Sequence, residues 1–392
     1  MKPKAAERLL EFPVYLFDAL DKQKDDVEKK GVKVIDLGVG DPDEGTPQQV
    51  VDELKRTADD TNNHHYPSYK GLPAFRQAVA DWYRKTFNVD LDPDTEVLSL
   101  IGSKSGMGHL PLACVNPGET VLLPDPCYAA YKPGILLANA EIHIMPLLEK
   151  NAYLPDLSEI PEKVAQRAKL LILNYPNNPT GAIATSDFFK EVVEFAKKHD
   201  IIVAHDAPYS AICYDGYRHP SFLEAPGAKE VGIEFHSMSK LFNMTGWRIA
   251  FALGNAEVIG ALGKLKSNID MGIFEPLQHA AIKALSTMDD FITQMTELYE
   301  KRRNVVVDGL KALGWKVPSA PGTFFVWMPV PADGKTSAEF ASEVLEKAGV
   351  LLTPGNGFGD YGEGYIRLSV TVPEETLKEA LERIKNAGFV YS

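Results

Sequence analysis

Short apolar runs alternate with helical patterns through the middle of the chain, and this alternation restricts the fold more than any other feature. The runs are 119-ETVLLPDP, 169-KLLILNYP, 201-IIVAHDAP, 231-VGIEFHS and 248-RIAFALG, with amphipathic stretches such as 187-DFFKEVVEFAKKHD between some of them. Strands that are apolar on both faces belong to a sheet covered on both sides, so the pattern predicts an α/β unit with a mainly parallel sheet. In such sheets ligands bind beyond the carboxyl ends of the strands, and the residues following each run are therefore the candidates for chemistry.

After about residue 288 the texture changes. A long helical pattern, 289-DDFITQMTELYEKRRNVVVDGLKALG, leads to two apolar runs, 322-GTFFVWMPV and 364-GYIRLSVT, each followed by a helix-like stretch. This predicts a large domain over 45–288 and a smaller α+β domain over 289–392, with 1–44 as an arm that packs partly with the latter. A length of 392 residues accommodates two cores. The net charge of −13 argues against a nucleic-acid or anionic-membrane surface. Cys114, Cys127 and Cys213 show neither disulfide-framework nor zinc-ligand spacing. Charges throughout the first twenty residues leave no signal-peptide core, so the expected compartment is the cytoplasm.

Four strand ends carry polar chemistry. The segment 99-SLIGSKSGMGHLPLACV passes from strand through a Gly/Ser turn into a helix, an arrangement that can hold a phosphate against Gly102, Ser103 and Lys104. In 174-NYPNNPTG, a loop by its prolines and glycine, Asn178 follows a strand and can donate to a ligand oxygen. In 201-IIVAHDAPYS the strand ends on Asp206, which is either a helix cap or the partner of a protonated ring nitrogen, and Tyr209 comes three residues later. In 236-HSMSKLFNMTGWR a lysine, Lys240, stands among hydroxyl residues and is followed by Arg248. A lysine that can form an imine, a carboxylate for a pyridinium nitrogen, a tyrosine for a phenolate and an anion site together describe pyridoxal 5′-phosphate. The glycines of 355-GNGFGDYGEG do not open a helix after a strand, so they are not a dinucleotide fingerprint. The histidines and acidic clusters form no metal-ligand set.

In the order of these motifs the chain resembles the fold-type I, class I/II aminotransferases over nearly its whole length. The resemblance implies a seven-stranded large sheet and a ping-pong transfer of an amino group to 2-oxoglutarate. It also implies that Lys240 is the lysine joined to the cofactor, that Asp206 pairs with its ring nitrogen, and that Tyr209 and Asn178 bond the ring oxygen. Tyr128 would stack on the ring, and Ser103, Lys104, Ser237, Ser239 and Arg248 would hold the phosphate. Tyr66 would complete that cup from a neighbouring subunit, which implies a homodimer. Arg367 would clamp the substrate α-carboxylate beneath a loop that carries Gly40. Within the family, 14-VYLF, 35-IDLGVGDPD, 66-YPSYKGLPAFR, 173-LNYPNNPTGA, 234-EFHSMSKLFNMTGWRIA and 353-TPGNGFGDYGEGY are similar to the LL-diaminopimelate aminotransferase branch. That likeness implies that Tyr15 of the partner subunit, and Lys104, read the distal end of the substrate. The chain departs from the branch at Ser105 and Lys70, where acidic residues are usual. A broad-specificity alanine, aspartate or aromatic aminotransferase and a C–S lyase are the alternative readings.

Overall fold

The computed structural model describes residues 5–12, 16–331 and 334–391. Along them run strands β1 (Ile35–Asp36), β2 (Val97–Leu100), β3 (Thr120–Asp125), β4 (Glu141–Pro146), β5 (Ala168–Asn174), β6 (Ile202–Asp206), β7 (Gly232–Ser237), β8 (Ala250–Gly254), β9 (Phe325–Pro329), β10 (Val350–Leu351), β11 (Thr353–Pro354) and β12 (Tyr365–Ser369). A seven-stranded sheet has the order β2-β8-β7-β6-β5-β3-β4, parallel except at β8, which pairs antiparallel with both neighbours. The chain thus adds strands toward one edge at β3 and β4, then turns back through β5, β6 and β7. This reversal makes a crevice at the carboxyl ends of β3 and β5.

Period-two alternation explains why these runs are apolar throughout. On β5, Leu171 and Leu173 enter one core, while Leu170 and Ile172 enter the core on the opposite face. Each fully buried leucine or isoleucine contributes about 1.5–3 kcal/mol relative to exposure. The helix Ser186–His199 covers one face with Phe188, Phe189, Val192, Val193 and Ala196. Thr185 caps its start by accepting from the Phe188 N–H, Asp187 sits in its first turn, and Lys197, Lys198 and His199 lie in its last, each favourable to the helix dipole.

A second, three-stranded antiparallel sheet has the order β11-β12-β9, and β1 pairs parallel with β10 beside it. Its core includes Tyr299, Val306 and Leu310 of the 24-residue helix Asp289–Ala312. Adjacent arginines on that helix reach in different directions. Arg302 holds Asp43 with two hydrogen bonds of 2.6 and 2.9 Å, and Arg303 holds Asp215 at 3.2 and 3.0 Å. The 37–43 loop is further fastened to the second sheet, by the Ser369 N–H on Leu37 O at 2.7 Å and by Thr353 Oγ1 on Gly38 O at 3.0 Å. No helix among the described residues is long and apolar enough to cross a membrane.

Candidate active site

A cavity of about 390 Å³ opens at the carboxyl ends of β5, β6 and β7, and the loops after β2 and β3 complete it. Its lining includes Gly40, Ser103, Lys104, Tyr128, Asn178, Asp206, Tyr209, Ser237, Ser239, Lys240, Arg248 and Arg367. Residues that stand more than 300 positions apart in the sequence therefore meet in one volume. Two of the expected residues do not meet there. Tyr66 is 90% exposed and lies outside the cavity of its own chain. Tyr15 lies outside the described residues.

Lys240 occupies the short helix Met238–Leu241 directly after β7. Its half-buried amine donates to Gly40 O at 2.9 Å and lies 5.5 Å from the centre of the Phe324 ring. Burial pulls the amine down to about 8; Asp41 opposes this, and Arg248 and Arg367 reinforce it. Near neutrality such an amine is neutral for an appreciable fraction of the time, as a nucleophile or a proton carrier must be.

Asp206 ends β6 and is buried. Its Oδ2 accepts from the Tyr131 hydroxyl at 2.8 Å, whereas the buried Oδ1 has no hydrogen-bond partner. Burial pushes the carboxyl up to about 6, against the Tyr131 hydrogen bond and the nearby His205. Asn174 fixes the strand end, donating to Asp206 O at 2.7 Å while its own Oδ1 accepts from the Asn178 N–H at 2.8 Å. Burial also raises the hydroxyl of Tyr209, which is hydrogen-bonded to Asn178 and packs edge-on against Phe324 with ring centres 5.3 Å apart.

Arg367 is 1% exposed, its guanidinium 4.0 Å from the ring centre of Phe325 and 4.6 Å from that of Phe358. It donates to Asn178 Oδ1 at 2.7 Å and to Gly38 O at 2.5 Å. Burial pulls it down to about 10, which leaves it cationic at neutral pH. Gly40 lies against Phe324 and Phe325 so closely that a Cβ there would overlap both rings.

At the other end of the cavity, Ser103 and Lys104 begin the helix Ser103–Cys114, whose N-cap Gly102 has φ +77°. A Cβ on Gly102 would run into the Arg248 guanidinium. Arg248 itself is left-handed, φ +55°, a conformation that costs about 1–2 kcal/mol for a residue with a Cβ. Ser237 Oγ accepts from the Ser239 N–H at 3.2 Å.

These features fit pyridoxal phosphate. A buried carboxylate oxygen without a donor suits a protonated ring nitrogen, and a helix start beside two serines and a guanidinium suits a dianion. Sequence reasoning did not assign Tyr131, Asn174, Phe325 or Asp21, all of which line the cavity. Tyr131, three residues after Tyr128 in the same turn, was the one with a readable hint. Asp21, on the helix Leu16–Glu28, reaches the cavity only through the tertiary fold. Ser105 instead turns back on its own helix, donating to Gly102 O at 3.0 Å and Ile101 O at 3.2 Å. It faces a neighbouring, mostly apolar cavity of about 450 Å³.

The family model described as aminotransferase class I and II matches residues 32–384. The LL-diaminopimelate aminotransferase of Moorella thermoacetica is 54% identical over 380 residues, covering 97% of each chain. That of Halothermothrix orenii is 52% identical over 386 residues, covering 98% of this chain and 99% of the relative. Among solved structures, substrate-bound BacF from Bacillus subtilis superposes with a TM-score of 0.96 at 38% identity, covering 99% of this chain and 98% of that one. The aspartate aminotransferase from Thermus thermophilus with maleate gives 0.91 at 28% identity, covering 98% and 100%. The chain belongs to the class I and II aminotransferases and is a pyridoxal-phosphate-dependent transaminase.

Proposed function

We propose that the enzyme transfers an amino group from LL-diaminopimelate to 2-oxoglutarate in two half-reactions at this cavity. The observation that carries the reading is the convergence of Lys240, Asp206 and Arg367 on one volume, together with relatives of that name at 52–54% identity. Pyridoxal phosphate, when bound, supplies an aldehyde that accepts the amino group and a ring that draws electron density from the substrate Cα. The side chains that would hold it are Asp206 at the ring nitrogen, Tyr209 and Asn178 at the ring oxygen, Tyr128 on the ring face, and Ser103, Lys104, Ser237, Ser239 and Arg248 at the phosphate. Lys240 Nζ takes the proton from the substrate Cα, a task suited to an amine pulled down to about 8. Arg367 grips the α-carboxylate with its planar fork, and the Phe325 and Phe358 rings keep water from that pair.

The distal end of diaminopimelate is itself an amino acid, with one cation and one anion. Lys104 and Asp21 offer opposite charges at the cavity wall, and Asp21 supplies an acidic group where Ser105 does not. Tyr66, exposed in its own chain, is free to reach across a two-fold axis, so the active unit is a homodimer with composite sites. A second reading has one specific support. The apolar neighbouring cavity, lined by Ile101, Ala129, Ala130 and Leu137, shares Lys104 and Arg248 with the first and suits an aromatic donor.

A donor panel with 2-oxoglutarate separates the two readings. LL-diaminopimelate should exceed alanine, aspartate and phenylalanine in kcat/KM, and Asp21→Asn should lower the diaminopimelate value about fivefold while sparing alanine, the scale of one partly exposed charge contact. Activity with phenylalanine but none with LL-diaminopimelate would overturn the substrate assignment and leave the transaminase.

A further inference from the structure

Behind the active-site end of the sheet lies a polar cluster that the chemistry above does not use. Glu234, His205 and His236 have fully buried side chains. Strands β6 and β7 are parallel neighbours with His205 opposite Glu234 and Asp206 opposite Phe235. Successive side chains on a strand point to opposite faces. His205, Glu234 and His236 therefore share the face away from the cavity, while their chain neighbours Asp206 and Ser237 line it.

One carboxylate ties this face together. Glu234 Oε2 accepts from His205 Nδ1 at 3.0 Å, Ser221 Oγ at 3.1 Å and the Phe222 N–H at 2.8 Å. Its Oε1 accepts from His236 Nε2 at 2.7 Å and from the Tyr83 hydroxyl. His236 Nδ1 in turn lies 3.4 Å from Ser210 Oγ, the residue after Tyr209. Burial alone pushes the Glu234 carboxyl up, but hydrogen bonds from His205 and His236 overcome it and hold the group well below the usual carboxylate range. An ionised carboxylate in such a place persists only when its acceptor sites are filled, and here they are filled from β6, β7, the 221–222 turn and the helix Pro73–Phe87.

We propose that Glu234 is a positioning residue: through His205, His236 and Ser210 it sets Asp206, Ser237 and Tyr209 from the far face of the sheet. Each of the three cavity residues is one residue removed in the chain from a side chain in the cluster, so a shift of the cluster is passed to the cavity by a single rigid peptide. His205 Nε2 has no partner, but both Glu234 oxygens are filled, and a buried carboxylate whose acceptor sites are filled fixes the strands that donate to it. The role extends the site assignment proposed above and rests on it.

The test uses the holoenzyme. Glu234→Gln leaves the shape but removes the charge and one acceptor. It should weaken pyridoxal phosphate binding about tenfold, near 1.4 kcal/mol, and reduce the visible circular dichroism of the saturated enzyme, which reports the cofactor's orientation. Ile384→Val, a mild core change in the other cluster, serves as the comparison for general destabilisation and should leave both readouts unchanged. Should Glu234→Gln fail to fold, His205→Asn, which retracts the β6 donor, should produce the same two changes. A folded Glu234→Gln or His205→Asn enzyme that binds the cofactor as the parent does, with an unaltered dichroic band, overturns the positioning role. A parent enzyme with no dichroic band overturns the site assignment itself, and this role with it.

Discussion

At Asp206 one oxygen is satisfied by Tyr131, the other has no donor, and burial pushes the carboxyl up to about 6. The sign of the resulting pH dependence follows directly. In the unliganded chain the protonated form is favoured below about 6, so stability rises as pH falls through that value toward the ordinary carboxylate range. A cationic ring nitrogen needs the ionised form. The contribution of Asp206 to cofactor affinity should therefore be level above about 6 and fall as the pH drops below it. Asp206→Asn has no such titration, and since the phosphate of the ligand titrates equally in both proteins, the difference between the two binding curves isolates the carboxyl. The variant should also slow transamination on the order of 10²-fold, the scale of one positioned electrostatic group. Matching pH profiles for parent and variant, measured by fluorescence titration with pyridoxal phosphate, would contradict this account of Asp206.

At the scale of elements, the sequence was legible wherever a strand ended in turn chemistry. Asp206 ends β6, Asn178 and Lys240 follow β5 and β7, and the continuous apolar runs that predict those strands also predict where their ends lie. Ser103 and Lys104 were legible for the same reason, since a Gly/Ser turn entering a helix is a local feature, whereas Ser237, Ser239 and Arg248 entered only through the family resemblance. Tyr131, Asn174 and Phe325 were not, because their contribution is contact with another segment. Tyr131 sits 75 positions from the aspartate it bonds, and its nearness to Tyr128 in the chain is the sole local hint that it is more than a core tyrosine. The close fit of Gly102 under Arg248 is equally invisible in sequence, since it needs a left-handed arginine held from another strand–loop unit. The Glu234 cluster shows the opposite limit: a glutamate inside the run VGIEFHS breaks the apolar pattern, and only the paired strand explains it.

Across the whole molecule, the site draws on residues from Gly38 to Arg367, joined by the long helix that anchors Asp43 through Arg302. Tyr66, exposed in its own chain, is proposed to serve a second copy. If Tyr66 serves the neighbouring subunit, a mixture of inactive Tyr66→Ala and Lys240→Ala chains re-forms one intact site in each mixed dimer and should regain about a quarter of parental activity after random pairing. No recovery after verified subunit exchange would contradict a role for Tyr66 in the neighbouring subunit's site. The central claim, that Lys240 is the chemical centre of the cavity, has a more direct test. Borohydride reduction of the holoenzyme followed by peptide mass analysis should place the phosphopyridoxyl group on Lys240, and Lys240→Ala should bind the cofactor without becoming labelled. Label on any other lysine, or undiminished labelling of Lys240→Ala, would contradict the account.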